Sequence, residues 1–319
     1  MLQLTAPDGS TVRDPDEAEL RRRLAASRRA DGTELWLDIQ APTDEDLQLL
    51  NGVFGFHPVA VDDVRRPRRR PTLNEFRGYT YSVLFAGSWH HHRLATAPYH
   101  LFVGRHLLVT THAKPSPELD AVRQRLGEQP DRPDFIAYLV TDALADTFFP
   151  VLEDLDGAVD AVQDRIVRSA TPDVLREISQ LKHEVTLLHA LLGAQMDVLQ
   201  RLVTHQLEMG AGEATVYFRA VYDHTVRQFE IVDSQRDLLT SATDVYLSTV
   251  SNRLNQTMAR LTIVASLFLP LTFLTGFFGM NFAFLVKIIG SPAALAFGVA
   301  VMLSCTALQL FIFRLRGWL

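Results

Sequence analysis

Residues 261–286, LTIVASLFLPLTFLTGFFGMNFAFLV, contain no charged side chain. A second run without charge, residues 288–313, follows after the single residue Lys287. About 20 apolar residues are enough for a helix to cross the roughly 30 Å hydrocarbon core of a bilayer, and both runs are longer than that. The two runs therefore predict a pair of transmembrane helices. The alternative is a helical hairpin buried inside a soluble domain, which rarely contains two uncharged runs of this length.

The charges that flank this hairpin predict its orientation. Arg253 and Arg260 precede the first run, Arg314 and Arg316 follow the second, and the loop between them holds one lysine. Because Lys and Arg concentrate on the cytoplasmic side of membrane proteins, we expect both termini to be cytoplasmic. The polar, arginine-rich N-terminal segment shows no signal peptide. The expectation is a multi-pass protein of the inner (cytoplasmic) membrane with two transmembrane helices in the lipid bilayer.

The remainder of the chain differs in composition from this hairpin. All 37 acidic residues occur at or before Asp244, and the 319-residue chain has a formal net charge of -6. A negative net charge argues against nucleic acid as a partner. The single cysteine, Cys305, excludes an internal disulfide framework and a multi-cysteine zinc site. Since no P-loop and no nucleophile–base pattern occurs, the sequence predicts that the protein is not an enzyme.

The N-terminal part of the chain predicts a mixed domain. Short runs rich in Val, Tyr, Phe and Thr are typical of strands, and helical spacing occupies segments between them. The predicted strands are residues 34–39, 79–85, 99–103 and 106–111, and the predicted helices are residues 44–54 and 118–126. The predicted fold class is α+β, with an N-terminal cytoplasmic αβα domain that contains a small sheet, a long stalk helix and a C-terminal two-helix transmembrane hairpin.

Long helices follow this domain. Residues 135–167 and 172–206 have amphipathic helical patterns, and the pair Thr171-Pro172 is a helix start signal, which together predict an antiparallel helical hairpin. Residues 215–280 contain no proline except Pro270 and no glycine before Gly276, so we expect one helix of about 100 Å at 1.5 Å per residue. A lone helix of that length needs partners, most simply copies of itself around a symmetry axis.

These patterns divide the chain into seven predicted segments. They are a cytoplasmic α/β domain (1–132), an antiparallel helical hairpin of that domain (133–212), the cytoplasmic part of the stalk helix (213–260), a first transmembrane helix (261–281), an external loop (282–291), a second transmembrane helix (292–313) and a basic cytoplasmic tail (314–319).

One stripe along the stalk helix has the composition of a pore lining. The stripe is defined by steps of three and four residues back from Gly279, which average about 3.5 residues per turn, the repeat of a supercoil. Its residues are Gly276, Thr272, Leu269, Ala265, Leu261, Met258, Asn255, Ser251 and Asp244. Small residues permit close approach of helices in a bilayer, and large apolar residues can form constrictions that gate by dewetting. The alternative interpretation is ordinary packing of small residues against the second transmembrane helix.

Four motifs on and around this stripe resemble the CorA family of divalent-cation channels. They are SNRLN at 251–255, LTIVA at 261–265, LPLTF at 269–273 and GMNF at 279–282. The triplet Gly279-Met280-Asn281, which closes the first transmembrane helix, is the signature of that family. The resemblance extends upstream through YFRAVYDH at 217–224 and GFHP at 55–58, and so covers nearly the whole chain.

The resemblance implies a homopentameric funnel that transports Mg2+, with Co2+ and often Ni2+ as further substrates and no cofactor. By position, Asn281 would form the outer selectivity ring, and Gly279 and Met280 would shape that turn. The implied pore-lining residues are Asp244, Asn255, Thr272 and Gly276, and the implied hydrophobic gate is Met258, Leu261 and Leu269. Members of the family are also inhibited by cytoplasmic Mg2+ that bridges carboxylates between subunits.

This assignment of the filter agrees with the chemistry of the ion. Mg2+ gives up its waters reluctantly, and a ring of Asn281 amide oxygens can bind those waters without removing them. A carboxylate ring would hold a divalent ion too tightly to release it. Inward flow needs no ATP, because a divalent cation gains about 4.6 kcal/mol per 100 mV, twice the single-charge value.

Ala220 is the main departure from the family pattern, since regulated members carry an aspartate of the sensing site there. Asp223, or the acid-rich first arm of the predicted helical hairpin, could hold the regulatory metal instead. The tract His90-His91-His92 and the missing carboxylate favour a zinc transporter, whereas Met280 favours magnesium or cobalt. A membrane-anchored sensor or scaffold is the alternative from another class. The basic run at 65–71 suits a solvated loop, an acidic neighbour, anionic lipid or nucleic acid.

Overall fold

The computed structural model describes residues 1–6, 10–27, 35–66, 70–104, 107–126, 135–208, 212–280 and 292–316. The chain divides into two compact units, Met1–Thr243 and Asp244–Leu319. The boundary falls inside one long helix, so that helix contributes to both units.

A seven-stranded mixed sheet forms the centre of the first unit. Its strands are β1 (Leu2–Thr5), β2 (Thr11–Arg13), β3 (Leu35–Gln40), β4 (Thr72–Phe76), β5 (Tyr79–His90), β6 (Arg93–Gly104) and β7 (Leu107–His112). Their order across the sheet is β2-β1-β3-β7-β6-β5-β4. Strands β3 and β7 pair in parallel, and every other neighbouring pair of these strands is antiparallel.

The sheet is larger than the small sheet that the sequence predicts. All four predicted strands are present as β3, β5, β6 and β7, although Glu34 and His106 lie outside the described residues. The three unpredicted strands are short, and β2 and β4 occupy the edges of the sheet. Edge strands are half exposed and rich in polar residues, so they lack the apolar run that marks a strand in sequence.

Nine helices occur in the described residues, and most of them surround the sheet or extend from it. They are α1 (Glu17–Ser27), α2 (Asp44–Gly52), α3 (Pro58–Arg65), α4 (Pro117–Leu126), α5 (Phe135–Asp146), α6 (Phe148–Arg168), α7 (Pro172–Glu208), α8 (Gly212–Phe278) and α9 (Pro292–Leu315). The predicted start at Pro172 and the single long helix are both confirmed, the latter as the 67 residues of α8.

The first arm of the predicted helical hairpin is two helices rather than one, because the chain breaks at Thr147. Pro150 has no backbone N–H with which to bond the carbonyl of Asp146, one turn earlier. The Thr147 hydroxyl instead donates to the Leu144 carbonyl at 2.6 Å and accepts from the Gly87 N–H of β5 at 2.9 Å. Gly87 also makes room for Phe148, since a Cβ there would lie 2.6 Å from the ring.

Helices cover both faces of the sheet, which gives the expected αβα layers. On one face, the buried side chains of Trp36, Leu84 and Leu101 join a core with α4, α5, α7 and the start of α8. On the other face, Phe56 between α2 and α3 stacks on Phe102 of β6, with ring centroids 4.5 Å apart.

The start of α8 is anchored inside the first unit by buried polar and aromatic contacts. The Gln228 side chain is fully buried, and its Nε2 donates to the Ala145 carbonyl at the end of α5 at 2.9 Å. At the next position, Phe229 packs on His189 of α7 at a centroid distance of 4.3 Å. These contacts hold the first third of the long helix against α5 and α7.

A buried ionic network joins α4 to the sheet. The Asp38 carboxylate on β3 is buried, accepts hydrogen bonds from the Thr110 hydroxyl and the Arg123 guanidinium, and lies 3.2 Å from His112 Nε2. The Arg123 guanidinium also lies over the Trp36 ring, 4.9 Å from its centroid. Because the Asp38 carboxylate is buried, the loss of one of these partners would leave part of its charge uncompensated.

Arg123→Ala should therefore destabilise the first unit strongly. Removal of one partner of a buried ion pair costs roughly 3–5 kcal/mol, which corresponds to a fall of about 6–20 °C in the thermal unfolding midpoint of a unit this size. The matched control is Arg176→Ala, because Arg176 pairs with Asp173 on the surface of α7 and its side chain is 80% exposed. Equal midpoints for the two variants would contradict the network's role.

Candidate functional site

Two helices of the second unit have the length and composition to cross a membrane. The most apolar 18-residue stretch within Thr215–Phe277 of α8 has a mean hydropathy of 1.7, and the corresponding stretch within Ala296–Leu315 of α9 has a mean hydropathy of 2.1. The helix α8 contains residues 261–278 of the first uncharged run, and α9 contains residues 292–313 of the second.

In the described apolar parts of these two helices, partial burial is confined to one side of each helix. The partly covered residues of α8 are Ile263, Ser266, Leu267, Pro270, Leu271 and Leu274. Those of α9 are Gly298, Val301, Met302, Cys305, Thr306, Gln309 and Phe313. Spacings of three and four residues place each set on a single helix face. The Gln309 Nε2 donates to the Ser266 carbonyl at 3.0 Å, so the two faces meet.

The pore stripe that the sequence predicts lies on the opposite side of α8 from this contact. Ala265, Leu269, Thr272 and Gly276 are all exposed in the chain, Leu269 by 73%. At about 100° per residue, the centre of this stripe is roughly 200° around the helix from the centre of the covered side. The small residues of the stripe therefore do not pack against α9, and that alternative interpretation of them is wrong.

Further towards the N-terminus of α8, exposure does not distinguish one face from another. Every residue from Ser251 to Thr262 is exposed, including the predicted pore residues Asn255, Met258 and Leu261, and Asp244 is exposed as well. The three large apolar side chains of this segment, Leu254, Met258 and Leu261, are spaced as i, i+4 and i+7, so they share one exposed face, which needs a partner to cover it.

The Thr272 side chain offers a hydrogen-bond acceptor on the exposed side of α8. Its hydroxyl donates to the Phe268 carbonyl of the same helix at 2.8 Å. The proton of the hydroxyl is thereby used, and the oxygen keeps only acceptor lone pairs for a ligand. Waters bound to a cation point their hydrogens outward, so an acceptor at this position suits a hydrated cation.

The C-terminal end of α8 is closed by backbone hydrogen bonds around Gly279. The Gly279 N–H donates to the Thr275 carbonyl at 2.9 Å, and the Met280 N–H donates to the Phe277 carbonyl at 3.3 Å. A Cβ at Gly279 would lie 3.1 Å from the Thr275 oxygen, which is closer than most side chains tolerate. Asn281 and the predicted external loop lie outside the described residues.

Among the described residues, one group of three side chains is arranged as metal ligands. Asp142 and Asp146 of α5 and His224 of α8 each offer a ligand atom, and these atoms lie within 4.8 Å of one another. Burial raises the pKa of Asp142, and repulsion from the nearby Asp146 raises it further, while His224 lowers it. A divalent cation at this cluster would replace that repulsion by attraction.

The predicted regulatory residue Asp223 is exposed and does not belong to this group, although its neighbour His224 does. The acid-rich first arm, which the sequence offered as the alternative, supplies both carboxylates. The role of His224 was missed, because the sequence gives no signal that pairs it with residues about 80 positions earlier. Ala220 lies one helical turn before His224 and is also exposed.

The histidine tract forms a turn, and the described start of the basic run forms ion pairs within the chain, whereas residues 67–69 of that run lie outside the described residues. His91 and His92, with φ of 51° and 61°, form the two-residue turn between β5 and β6, a geometry typical of tight hairpins. No metal-ligand group in the described part of the chain includes them. Arg65 and Arg66 pair with Asp44 and Asp62 of the same chain, at 2.7 and 2.5 Å.

Comparisons with known proteins cover nearly the whole chain. The family model described as CorA-like Mg2+ transporter protein matches residues 31–315. A putative metal ion transporter of Bacillus subtilis is 31% identical over 279 residues, which cover 83% of this chain and 87% of that protein. The cobalt/magnesium transport protein CorA of Thermotoga maritima is 30% identical over 302 residues, which cover 91% of this chain and 85% of that protein.

Solved structures show the same fold. The CorA magnesium transporter of Methanocaldococcus jannaschii matches with a TM-score of 0.81 at 21% identity and covers 100% of this chain and 99% of its own. The cytoplasmic domain of ZntB from Vibrio parahaemolyticus matches with a TM-score of 0.58 at 12% identity and covers 70% of this chain and 88% of its own. Since the family model spans residues 31–315, most of the described fold and both apolar helices, the chain belongs to the family of CorA-like Mg2+ transporter proteins.

Proposed function

We propose that this chain is a channel for hydrated divalent cations, with Mg2+ as its main substrate and Co2+ as a further one. The observation that carries this proposal is the exposed stripe of α8, which faces away from α9. The stripe contains small residues that permit close helix packing, polar residues that can contact a hydrated ion, and large apolar residues that can form a gate. Membership of the CorA family supports the same substrate class. In this proposal the chain moves ions and catalyses no reaction.

Five copies of α8 around one axis would turn the stripe into a pore. Such an assembly covers the segment from Ser251 to Thr262, which the single chain leaves exposed on all sides. Both termini lie in the cytoplasm and both apolar helices span the inner membrane, as the flanking arginines indicate. The proposed pentamer makes a single narrow path from the ring of Asn281 on the outside to the ring of Asp244 in the cytoplasm.

Along that path the ion keeps its water. Asn281 amide oxygens and Thr272 hydroxyl oxygens accept hydrogen bonds from the waters around Mg2+, which replaces bulk solvent without dehydration of the ion. Leu269, Leu261 and Met258 follow as apolar rings that stop conduction when they close and dry. Asn255 and Asp244 then return the ion to a polar environment.

Cytoplasmic Mg2+ regulates the pore through the cluster of Asp142, Asp146 and His224. Its two carboxylates are oxygen ligands of the kind that Mg2+ takes, and its imidazole suits a transition metal such as Co2+. His224 belongs to the same helix that forms the pore, so occupation of the cluster acts on that helix. The absence of a carboxylate at Ala220 makes this regulation weaker than in members that have one.

The transport proposal is tested by uptake of Mg2+ and Co2+ into proteoliposomes with an inside-negative potential. Asn281→Ala should abolish uptake, because the ring of amide oxygens is lost. Thr272→Val should reduce uptake roughly two- to tenfold, because a factor of this size corresponds to the free energy of one hydrogen bond.

The matched control is Thr275→Val, which removes a hydroxyl that also donates to its own helix, at 2.9 Å, but lies about 90° away from the stripe. It should leave uptake near the wild-type rate. If Asn281→Ala and Thr272→Val conduct as the wild type does, the filter assignment fails. If the wild type itself takes up no cation, the chain is an anchored scaffold.

Ala220→Asp should increase inhibition by Mg2+ inside the vesicles. The position is exposed on α8, so the new carboxylate needs no burial and adds a cation ligand near His224. The expected result is half-inhibition at a lower internal Mg2+ concentration than for the wild type. An unchanged inhibition curve would place the sensor elsewhere.

Asp142→Asn should raise the thermal unfolding midpoint at pH 7. The pKa of Asp142 is raised in the folded chain, so folding favours the protonated form, and stability falls as the pH rises from the ordinary range of aspartate through the raised pKa. The variant removes this loss, and its advantage should vanish as the pH is lowered through the same range.

Addition of Mg2+ should stabilise the wild type at pH 7 and should stabilise Asp142→Asn less. Asp160→Asn is the matched control, because Asp160 is exposed on α6 of the same acid-rich arm and is not part of the cluster. An equal Mg2+ response in all three proteins would rule out the cluster as the cation site.

A further inference from the structure

Pro270 leaves one backbone carbonyl of α8 without its usual hydrogen bond. In a regular helix the N–H of each residue donates to the carbonyl four residues earlier. Proline has no N–H, so the carbonyl of Ser266 lacks its helical donor. Inside a bilayer no water is available to take the place of that donor.

The side chain of Gln309 supplies the missing donor from the other helix. Its Nε2 lies 3.0 Å from the Ser266 oxygen and donates to it. The Oε1 of the same amide is buried and has no hydrogen-bond partner in the described part of the chain. Rotation of the amide would place this oxygen against the Ser266 oxygen, so only the observed orientation makes a bond.

An amide with a buried, unsatisfied oxygen is costly at this position, and an apolar residue would avoid that cost. The hydrogen bond to the Ser266 carbonyl is the favourable interaction that offsets this cost. It lies one turn from Leu269 and between two residues of the proposed gate, Leu261 and Leu269. A groove of about 480 Å³ on this turn of α8 is lined by Leu261, Thr262, Ala265, Ser266, Leu269 and Pro270.

We propose that Gln309 is a positioning residue for the pore: its amide replaces the helix hydrogen bond that Pro270 removes and holds the gate turn of α8 against α9. The covered side of α8 and the pore stripe lie on opposite sides of the helix, so this bond pulls the gate turn away from the pore axis. Without it, Leu269 moves towards the axis and narrows the apolar constriction. This inference rests on the proposed channel function.

The test is a double-mutant cycle in the full-length chain, with Gln309→Met, Pro270→Ala and the two combined. Methionine keeps the length of the side chain and removes the donor. Gln309→Met should lower the maximal Mg2+ influx about three- to twentyfold, because a factor of this size corresponds to the free energy of one interhelical hydrogen bond in a membrane. The Mg2+ concentration for half-maximal influx should not change, because the filter is untouched.

In the Pro270→Ala chain the same change should have almost no effect. Alanine restores the N–H at position 270, which satisfies the Ser266 carbonyl from within α8. The combined variant should therefore conduct within about twofold of Pro270→Ala alone, because the Ser266 carbonyl then has a donor in its own helix and no longer depends on Gln309. Thr306→Val is the matched control: Thr306 lies one turn from Gln309 and its hydroxyl donates within α9, to the Met302 carbonyl at 3.0 Å, so influx should stay at the wild-type rate.

Two results would overturn the proposal. One is wild-type influx in Gln309→Met. The other is the same fold loss from Gln309→Met with and without Pro270→Ala, since loss of packing alone would not depend on the residue at position 270. The thermal unfolding midpoint of each variant provides a second reading, because Gln309→Met should lower it by a few degrees only where Pro270 is retained. If the wild type carries no influx at all, the proposed function fails, and the midpoints still decide whether Gln309 replaces the helix bond.

Discussion

The apolar parts of α8 and α9 depend on the absence of water in the hydrocarbon core of a bilayer. There, each backbone N–H and carbonyl needs a partner within the protein, which leaves helices as the form that a chain of this kind can take. In the described apolar parts of α8 and α9, the hydrogen bonds of each helix meet most of this demand. Pro270 leaves one carbonyl of α8 without its helical donor, and the contact between Gln309 and Ser266 shows how a second helix supplies that donor.

The features that were predictable from the sequence are those whose residue pattern extends regularly over many positions. The two uncharged runs, the start of α7 at Pro172 and the unbroken α8 all follow from composition or from proline and glycine placement. The break at Thr147 was predictable in principle from Pro150, but the helical pattern continues across it and hides it. Strands β1, β2 and β4 carry too few apolar residues to stand out.

The parts of the site that sequence reasoning missed all depend on contacts between distant residues. Asp142 and His224 come together only because α5 and the start of α8 pack side by side, and no spacing rule connects them. Gln309 is a single polar residue in an apolar run, and its partner is a backbone atom, which has no signature in the sequence. The pore stripe was visible as a pattern, but its separation from the α9 contact required the burial of each residue.

The hydrogen bond from the Thr272 hydroxyl to the Phe268 carbonyl has a consequence for the sign of the charge that can pass. A hydrated chloride ion turns the oxygens of its waters outward and needs donors around it. In the proposed pentamer, a ring of five such hydroxyls, each with its proton already bonded to its own helix, would offer only oxygen lone pairs. Such a ring would exclude anions at this level by uncharged side chains alone, in a helix that carries no acidic residue beyond Asp244.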